Sequence, residues 1–212
     1  SSSACAVPKN VDFVFEISAA SAFAINPAAG AVVVTGVTSG DTTSLTGTGY
    51  TTTSTLQTLT VAPTGLAVGV KPSKIVYTIK PSNNAGAALA KDGTITITAD
   101  KEIFTKSGTP TIAVTTTSTK CKATSTSDAN GKILTVTLDN DGTACDVPKD
   151  ADFVFEMATA GDFAVNPTTG AVAVTGVTSG DTTSLTGTGY TTLALQLQTL
   201  TVAPTGLAVG VK

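Results

Sequence analysis

The chain has 212 residues and a net charge of −3, and its twelve cations are all lysine, with neither Arg nor His. Without Arg it lacks the usual bidentate reader of phosphate and guanine, and without His the commonest general base and metal ligand, so nucleic-acid binding and most acid–base or metal catalysis are not expected. Roughly one residue in five is Thr, charged residues make up 13%, and Trp is absent. Thr and Val are stiff at their first side-chain torsion and suit strands better than helices, which predicts an all-β protein. The uncharged stretches 17–40 and 42–70 are broken by Pro, Gly, Asn and many Thr, so no membrane span is expected.

From the N-terminus, residues 4–50 return as 144–190, an offset of 140, and 56–71 (LQTLTVAPTGLAVGVK) returns letter for letter as 197–212, an offset of 141. The added residue falls where TTTST becomes TTLALQ, as expected of a tolerant loop tip. The chain thus carries about one and a half copies of a 140-residue unit. Matching joints at Pro63-Thr64-Gly65 and Pro204-Thr205-Gly206 predict a half module over 1–62, a complete module over 63–203 and the start of another over 204–212. Division into 4–71, 72–143 and 144–212 is the alternative.

The first strand signal is DFVFE at 12–16, repeated at 152–156. Alternation places Phe13 and Phe15 on one face and the acids on the other, so a core-building Phe pair is expected, ahead of a carboxylate pair for catalysis. The block GVTSGDTTSLTGTGY, identical at 36–50 and 176–190, is Gly-rich but has no Lys after its glycines and is no phosphate loop. Ser44 or Ser184 as a nucleophile would lack a His base, and a long turn with conformational glycines is expected there. Further along, period-two strands are expected at 74–79, 93–99, 110–115, 120–126, 132–138, 151–157, 171–178 and 195–203, with one helical turn at 100–104 capped by Asp100. Asp128-Ala129-Asn130-Gly131 is the strongest hairpin signal. Asp139-Asn140-Asp141-Gly142, with Asp146, resembles the start of a calcium loop but lacks the later ligands, so neither calcium nor another cofactor is expected. Many short strands at this spacing predict a β-sandwich or barrel.

Cys121 and Cys145 lie 24 residues apart across the hairpin, a separation compatible with a disulfide. Cys5 is the repeat counterpart of Cys145, and its own partner would fall before residue 1, which marks it as unpaired or intermolecular or as the sign of an upstream piece, with a free buried thiol as the alternative. Both Asn26 and Asn166 are followed by Pro, so N-glycosylation is not expected. The Thr clusters at Thr51, Thr52, Thr53 and Thr115, Thr116, Thr117 are candidates for O-linked glycans. Ranks of Thr also suit ice binding, but the short solenoid repeat that normally goes with it is missing.

The segments GTITITAD, SGTPTIAV, CKATSTSDANGKILTVTL, DFVFEM, NPTTG and DTTSLTGTGY resemble immunoglobulin-like β-sandwich domains repeated in tandem in large secreted or cell-surface proteins of algae and other microbial eukaryotes. That resemblance implies adhesive, cell-wall or fibre-forming roles and brings no catalytic residues. The expectation is a structural subunit of an extracellular filament or surface layer, whose partners are copies of itself. The half module would be the acceptor, through Phe13, Phe15, Phe23, Val32 and Val34. The strand from 199, with Leu200, Val202, Leu207, Val209 and Val211, would be the donor in β-strand complementation. A tandem polyprotein is the variant of this reading, and a monomeric carbohydrate-binding or adhesive module is the alternative.

Overall fold

The computed structural model of the chain describes residues 14, 30–37 and 43–194. Their strands are β1 (Gly30–Gly36), β2 (Leu45–Thr52), β3 (Thr58–Thr64), β4 (Lys74–Lys80), β5 (Leu89–Ala90), β6 (Thr94–Ala99), β7 (Ala113–Val114) and β8 (Cys121–Ser127). They continue with β9 (Ile133–Asn140), β10 (Asp146–Val147), β11 (Phe153–Met157), β12 (Gly170–Val172), β13 (Val174–Thr178), β14 (Leu185–Thr186) and β15 (Tyr190–Thr192). Helix among the described residues is limited to single tight turns at Thr117–Thr119 and Ala160–Asp162, so the protein is all-β. A four-stranded antiparallel sheet runs β3-β4-β11-β7 and a five-stranded one β14-β13-β6-β9-β8. Short pairs β10-β5 and β12-β15 flank them, and β1-β2 forms a hairpin of its own.

Alternation of Thr or Lys with large apolar residues gives each central strand one buried face. Ile75, Tyr77 and Ile79 of β4, Ile95 and Ile97 of β6, and Leu134, Val136 and Leu138 of β9 are fully buried. On β11, Phe153, Phe155 and Met157 point inward, while Glu156 faces out and pairs with Lys74 at 3.4 Å. The Phe pair therefore builds core, and the Phe155 ring stacks on Tyr77 at 5.0 Å. Each such side chain contributes about 1.5–3 kcal/mol on leaving water. These residues form one cluster running from Leu56 to Tyr190. Leu56, Leu59 and Val61 belong to it, so β3, which lies mostly before the Pro63 joint, shares the core of the strands that follow.

Strands form at or near most of the expected positions, with instructive departures. The 110–115 strand shrinks to Ala113–Val114 because its start is held from outside the ladder. There the Pro110 carbonyl accepts from Ser125 Oγ at 2.6 Å, and Thr111 N–H donates to Asp162 Oδ2 at 2.7 Å. The 171–178 strand is interrupted at Ala173. No helical turn forms at 100–104. Asp100 accepts from Ala173 N–H at 2.9 Å instead of capping, and the N–H groups of Ile103 and Phe104 both donate to the Gly131 carbonyl. The 176–190 block is not one long turn, since it supplies the end of β13, all of β14 and the start of β15. The expected 195–203 strand lies outside the described residues; β3, whose residues 58–62 carry the same letters as 199–203, forms.

Candidate assembly surface

The chain builds one hairpin twice. β1 and β2 pair Gly30 with Thr52, Val32 with Tyr50, Thr35 with Thr46 and Gly36 with Leu45. In the second copy Gly170 pairs with Thr192, Val172 with Tyr190, Thr175 with Thr186 and Gly176 with Leu185. Each pair is displaced by the sequence offset of 140. The surroundings differ. β13 continues into the large sheet through β6, from Val174 opposite Ala99 to Thr178 opposite Ile95. Among the described residues β1 has no partner strand besides β2.

Burial follows from that difference. Val174 and Tyr190 are 0% and 9% exposed, whereas their counterparts Val34 and Tyr50 are 47% and 53% exposed. Leu45 is 76% exposed, while its counterpart Leu185 packs against the core. An apolar face that the module covers is therefore open on the β1–β2 hairpin, a costly arrangement in water.

β3 is the element that does much of the covering. Beyond its antiparallel pairing with β4, the 55–67 segment runs parallel to 183–193, bridging Thr55 to Thr183, Thr60 to Thr188 and Ala67 to Leu193. Thr188 N–H donates to the Leu59 carbonyl at 3.0 Å, Leu193 N–H to the Leu66 carbonyl at 2.9 Å, and Val61 N–H to Thr188 Oγ1 at 3.3 Å. Two glycines make room for the side chains. A Cβ on Gly176 would stand 2.8 Å from a Leu59 methyl and 3.6 Å from one of Leu56, and a Cβ on Gly187 would stand 2.5 Å from Leu59 Cγ. Neither glycine has a positive φ. They are needed for space, not for conformation. At the counterpart Gly36 no described atom lies within 4 Å of that position, and at Gly47 only the Val34 carbonyl does, at 3.8 Å. The two notches are empty of described residues.

Polar groups pin the covering segment at both ends. Asn166, buried after the β11 turn region, donates from Nδ2 to the carbonyls of Gly65 (2.7 Å) and Ala67 (3.0 Å). At the other end Ser54 Oγ donates to Asp181 Oδ1, accepts from Asn84 Nδ2 at 3.0 Å and meets Ser82 Oγ at 2.9 Å. Ser82 N–H fills the second Asp181 oxygen at 2.8 Å, so this fully buried carboxyl is hydrogen-bonded on both sides. Tyr77 and Tyr190 are buried with hydroxyls that have no partner among the described residues. Burial, and secondarily the Asp100 charge, pushes the Tyr190 phenol up to about 12. Burial likewise raises Tyr77 well above its usual value, with Tyr190 adding to it.

Of the expected acceptor residues, Val32 and Val34 lie on this hairpin, Val34 exposed and Val32 half-buried. Phe13, Phe15, Phe23 and Cys5 lie outside the described residues, as do Leu200, Val202, Leu207, Val209 and Val211. Gly36, Leu45, Gly47 and Tyr50 were not singled out in the sequence, although their identity with Gly176, Leu185, Gly187 and Tyr190 carried the signal. Cys121 and Cys145 form a disulfide with Cα atoms 4.5 Å apart. Among the Thr candidates, Thr53, Thr115 and Thr117 are exposed, but the Thr115 hydroxyl donates to the Val154 carbonyl at 3.1 Å and the Thr116 hydroxyl accepts from Val154 N–H at 2.7 Å. Asp141 of the DNDG turn pairs with Lys122 at 2.9 Å, and Asn140 Oδ1 accepts from Cys145 N–H. No helix among the described residues is long and apolar enough to cross a membrane. Comparison of the chain with protein-family models, with curated proteins and with solved structures returned no match.

Proposed function

We propose that this protein is a structural subunit of an extracellular filament or surface layer, built from immunoglobulin-like β-sandwich modules. Its modules join head to tail, either between chains by β-strand complementation or along a tandem polyprotein. One observation carries the reading. The β1–β2 hairpin repeats the sequence and register of the hairpin in the module, yet exposes residues that the module buries. A hairpin of that kind is a piece of a module awaiting the rest of it, and a head-to-tail contact that does not close on itself propagates into a fibre. The Cys121–Cys145 disulfide supports an oxidising, extracellular setting. Exposed Thr53 and Thr117 are the positions best placed to carry O-linked glycans.

High-speed sedimentation with negative-stain microscopy tests this. Pelleting material with long, regular fibres is expected. A chain that stays monomeric at high concentration and binds glycans would replace the filament with an adhesive module.

A further inference from the structure

The unburied side of the β1–β2 hairpin is matched by a strand whose sequence the chain also carries. In the module, the notches at Gly176 and Gly187 are filled by Leu56 and Leu59. The segment 56–71 that delivers these leucines is identical to 197–212, so Leu197, Leu200 and Val202 repeat Leu56, Leu59 and Val61 in sequence. We infer that the β1–β2 hairpin is a docking site for residues 195–212 of a second copy of this chain, bound in parallel along 43–53 with Leu197 and Leu200 seated at Gly36 and Gly47. The inference rests on the head-to-tail reading above and names the residues that make the joint.

The module supplies the geometry of the contact. Thr48, counterpart of Thr188, donates its N–H to the partner's Leu200 carbonyl and accepts from the partner's Val202 N–H through its hydroxyl. Thr53, counterpart of Leu193, donates to the carbonyl of the partner's Leu207. Leu45 and Tyr50, exposed on the same hairpin, lose water as the strand arrives. Main-chain bonds provide affinity, and the leucines in glycine notches provide register, the division of labour usual in strand addition.

The partner strand replaces β3 alone. The counterparts of β4, β6 and β9 occur once in the 212 residues, inside the module. What the partner strand brings to the joint is the counterpart of β3. It lacks one anchor. Ser54, which binds the buried Asp181 at the start of the covering segment, aligns with Leu195, which has no hydroxyl to offer. The intramolecular strand thus keeps its own place, while 195–212 is left to find the hairpin whose notches are empty of described residues.

The test uses the full chain carrying Leu200→Asp and Val202→Asp as receptor, which disables its own donor strand and leaves the hairpin intact. A fluorescent peptide of residues 195–212 is titrated against it and followed by anisotropy. Saturable binding is expected, weakened at least tenfold by Leu200→Asp in the peptide or by Gly47→Leu in the receptor. A Cβ at Gly47 stands 3.8 Å from the nearest described atom, the Val34 carbonyl oxygen, and circular dichroism checks that the Gly47→Leu receptor keeps its fold. Equal binding of both peptides, or none to a folded receptor, overturns the docking site. A wild-type chain that sediments as a monomer yet excludes the peptide means that its own 197–212 fills the site, which overturns the second copy as occupant. Fibres that form while the peptide fails to bind leave the filament reading standing and sink this joint. Peptide binding by a chain that never forms fibres does the reverse.

Discussion

Tyr50 and Tyr190 occupy the same position of an identical sequence block, paired with Val32 and Val172 in the same register, yet one is 53% exposed and the other 9%. Sequence and hydrogen-bond partner are the same, so the difference comes from what lies over each ring. The third tyrosine, Tyr77, is fully buried. Nitration of the unassembled protein is therefore expected at Tyr50 alone, read by peptide mass mapping. Assembly is expected to protect it. Equal labelling of Tyr50 and Tyr190 before assembly would show that the second hairpin is no better covered than the first.

The buried phenols predict an alkaline limit to stability. Tyr190 is held protonated up to about 12, while an unfolded tyrosine releases its proton near its usual value of about 10. Between those values the folded state binds more protons than the unfolded chain, so stability falls as pH rises. Below about pH 10 this contribution is fully present, and by about pH 12 it is gone. Urea midpoints measured from pH 8 upward should stay level as far as these residues are concerned and then drop. Tyr190→Phe should flatten part of the drop. Because the hydroxyl has no partner among the described residues, that substitution is expected to be neutral or stabilising at pH 7.

The glycine notches give a matched pair of substitutions. Gly176→Val places a Cβ 2.8 Å from a Leu59 methyl, with Ile97 and Leu56 behind it, and overpacking of that kind costs about 1–3 kcal/mol. At the repeat counterpart Gly36 a Cβ meets no described atom within 4 Å, so Gly36→Val should change the melting temperature of the unassembled protein far less than Gly176→Val. Equal losses from the two would show that Gly36 already has a neighbour and that the notch is filled.

How much of this was legible in the sequence depends on what each residue was asked to report. Alternation in KIVYTIK, TITITA and FVFEM is a local signal, and the strands with their buried faces follow from it. The Cys121–Cys145 bridge was accessible from spacing and the hairpin between them. Where local rules mislead, a distant segment has taken the backbone groups they rely on. Asp100 looks like a helix cap, but Ala173 uses its carboxylate and Gly131 takes the N–H groups of Ile103 and Phe104. The glycines at 176 and 187 look like turn formers because Gly usually supplies conformational freedom. Their role is to admit Leu59 from more than a hundred residues away, which no local window contains. The proposed joint was half legible: the repeat suggested a donor strand, and the proposed receiving edge of the hairpin comes only from the packing of β3 against the second hairpin.

The disulfide ties the start of β8 to the segment before β10 and closes the β8–β9 hairpin into a loop of separation 24. In the chain-entropy model such a closure contributes roughly 3 kcal/mol by restricting the unfolded chain. Cys121→Ala with Cys145→Ala should lower the unfolding free energy by about that amount, read from urea titrations under non-reducing conditions. The same loss should appear in the wild type with reductant and vanish between reduced wild type and variant.

The buried Asp181 is the polar hinge-pin of the module. Its oxygens accept from Ser54 Oγ and Ser82 N–H, and its own N–H donates to Thr178 Oγ1 at 2.9 Å, fastening the start of the β3 segment to the turn after β13. Asp181→Ala removes the acceptor and leaves two buried donors to lose their partner, at about 1–3 kcal/mol each. Ser54→Ala removes one donor only, since Ser82 N–H still holds the carboxylate, and should cost less. The double variant separates the parts. If Ser54 acts through Asp181, then Ser54→Ala in the Asp181→Ala background should add little, because the bond it would break is already gone. Fully additive losses, measured by urea titration of all three variants, would mean that Ser54 stabilises the module through Ser82 and Asn84 and that Asp181 is not what holds the β3 segment in place.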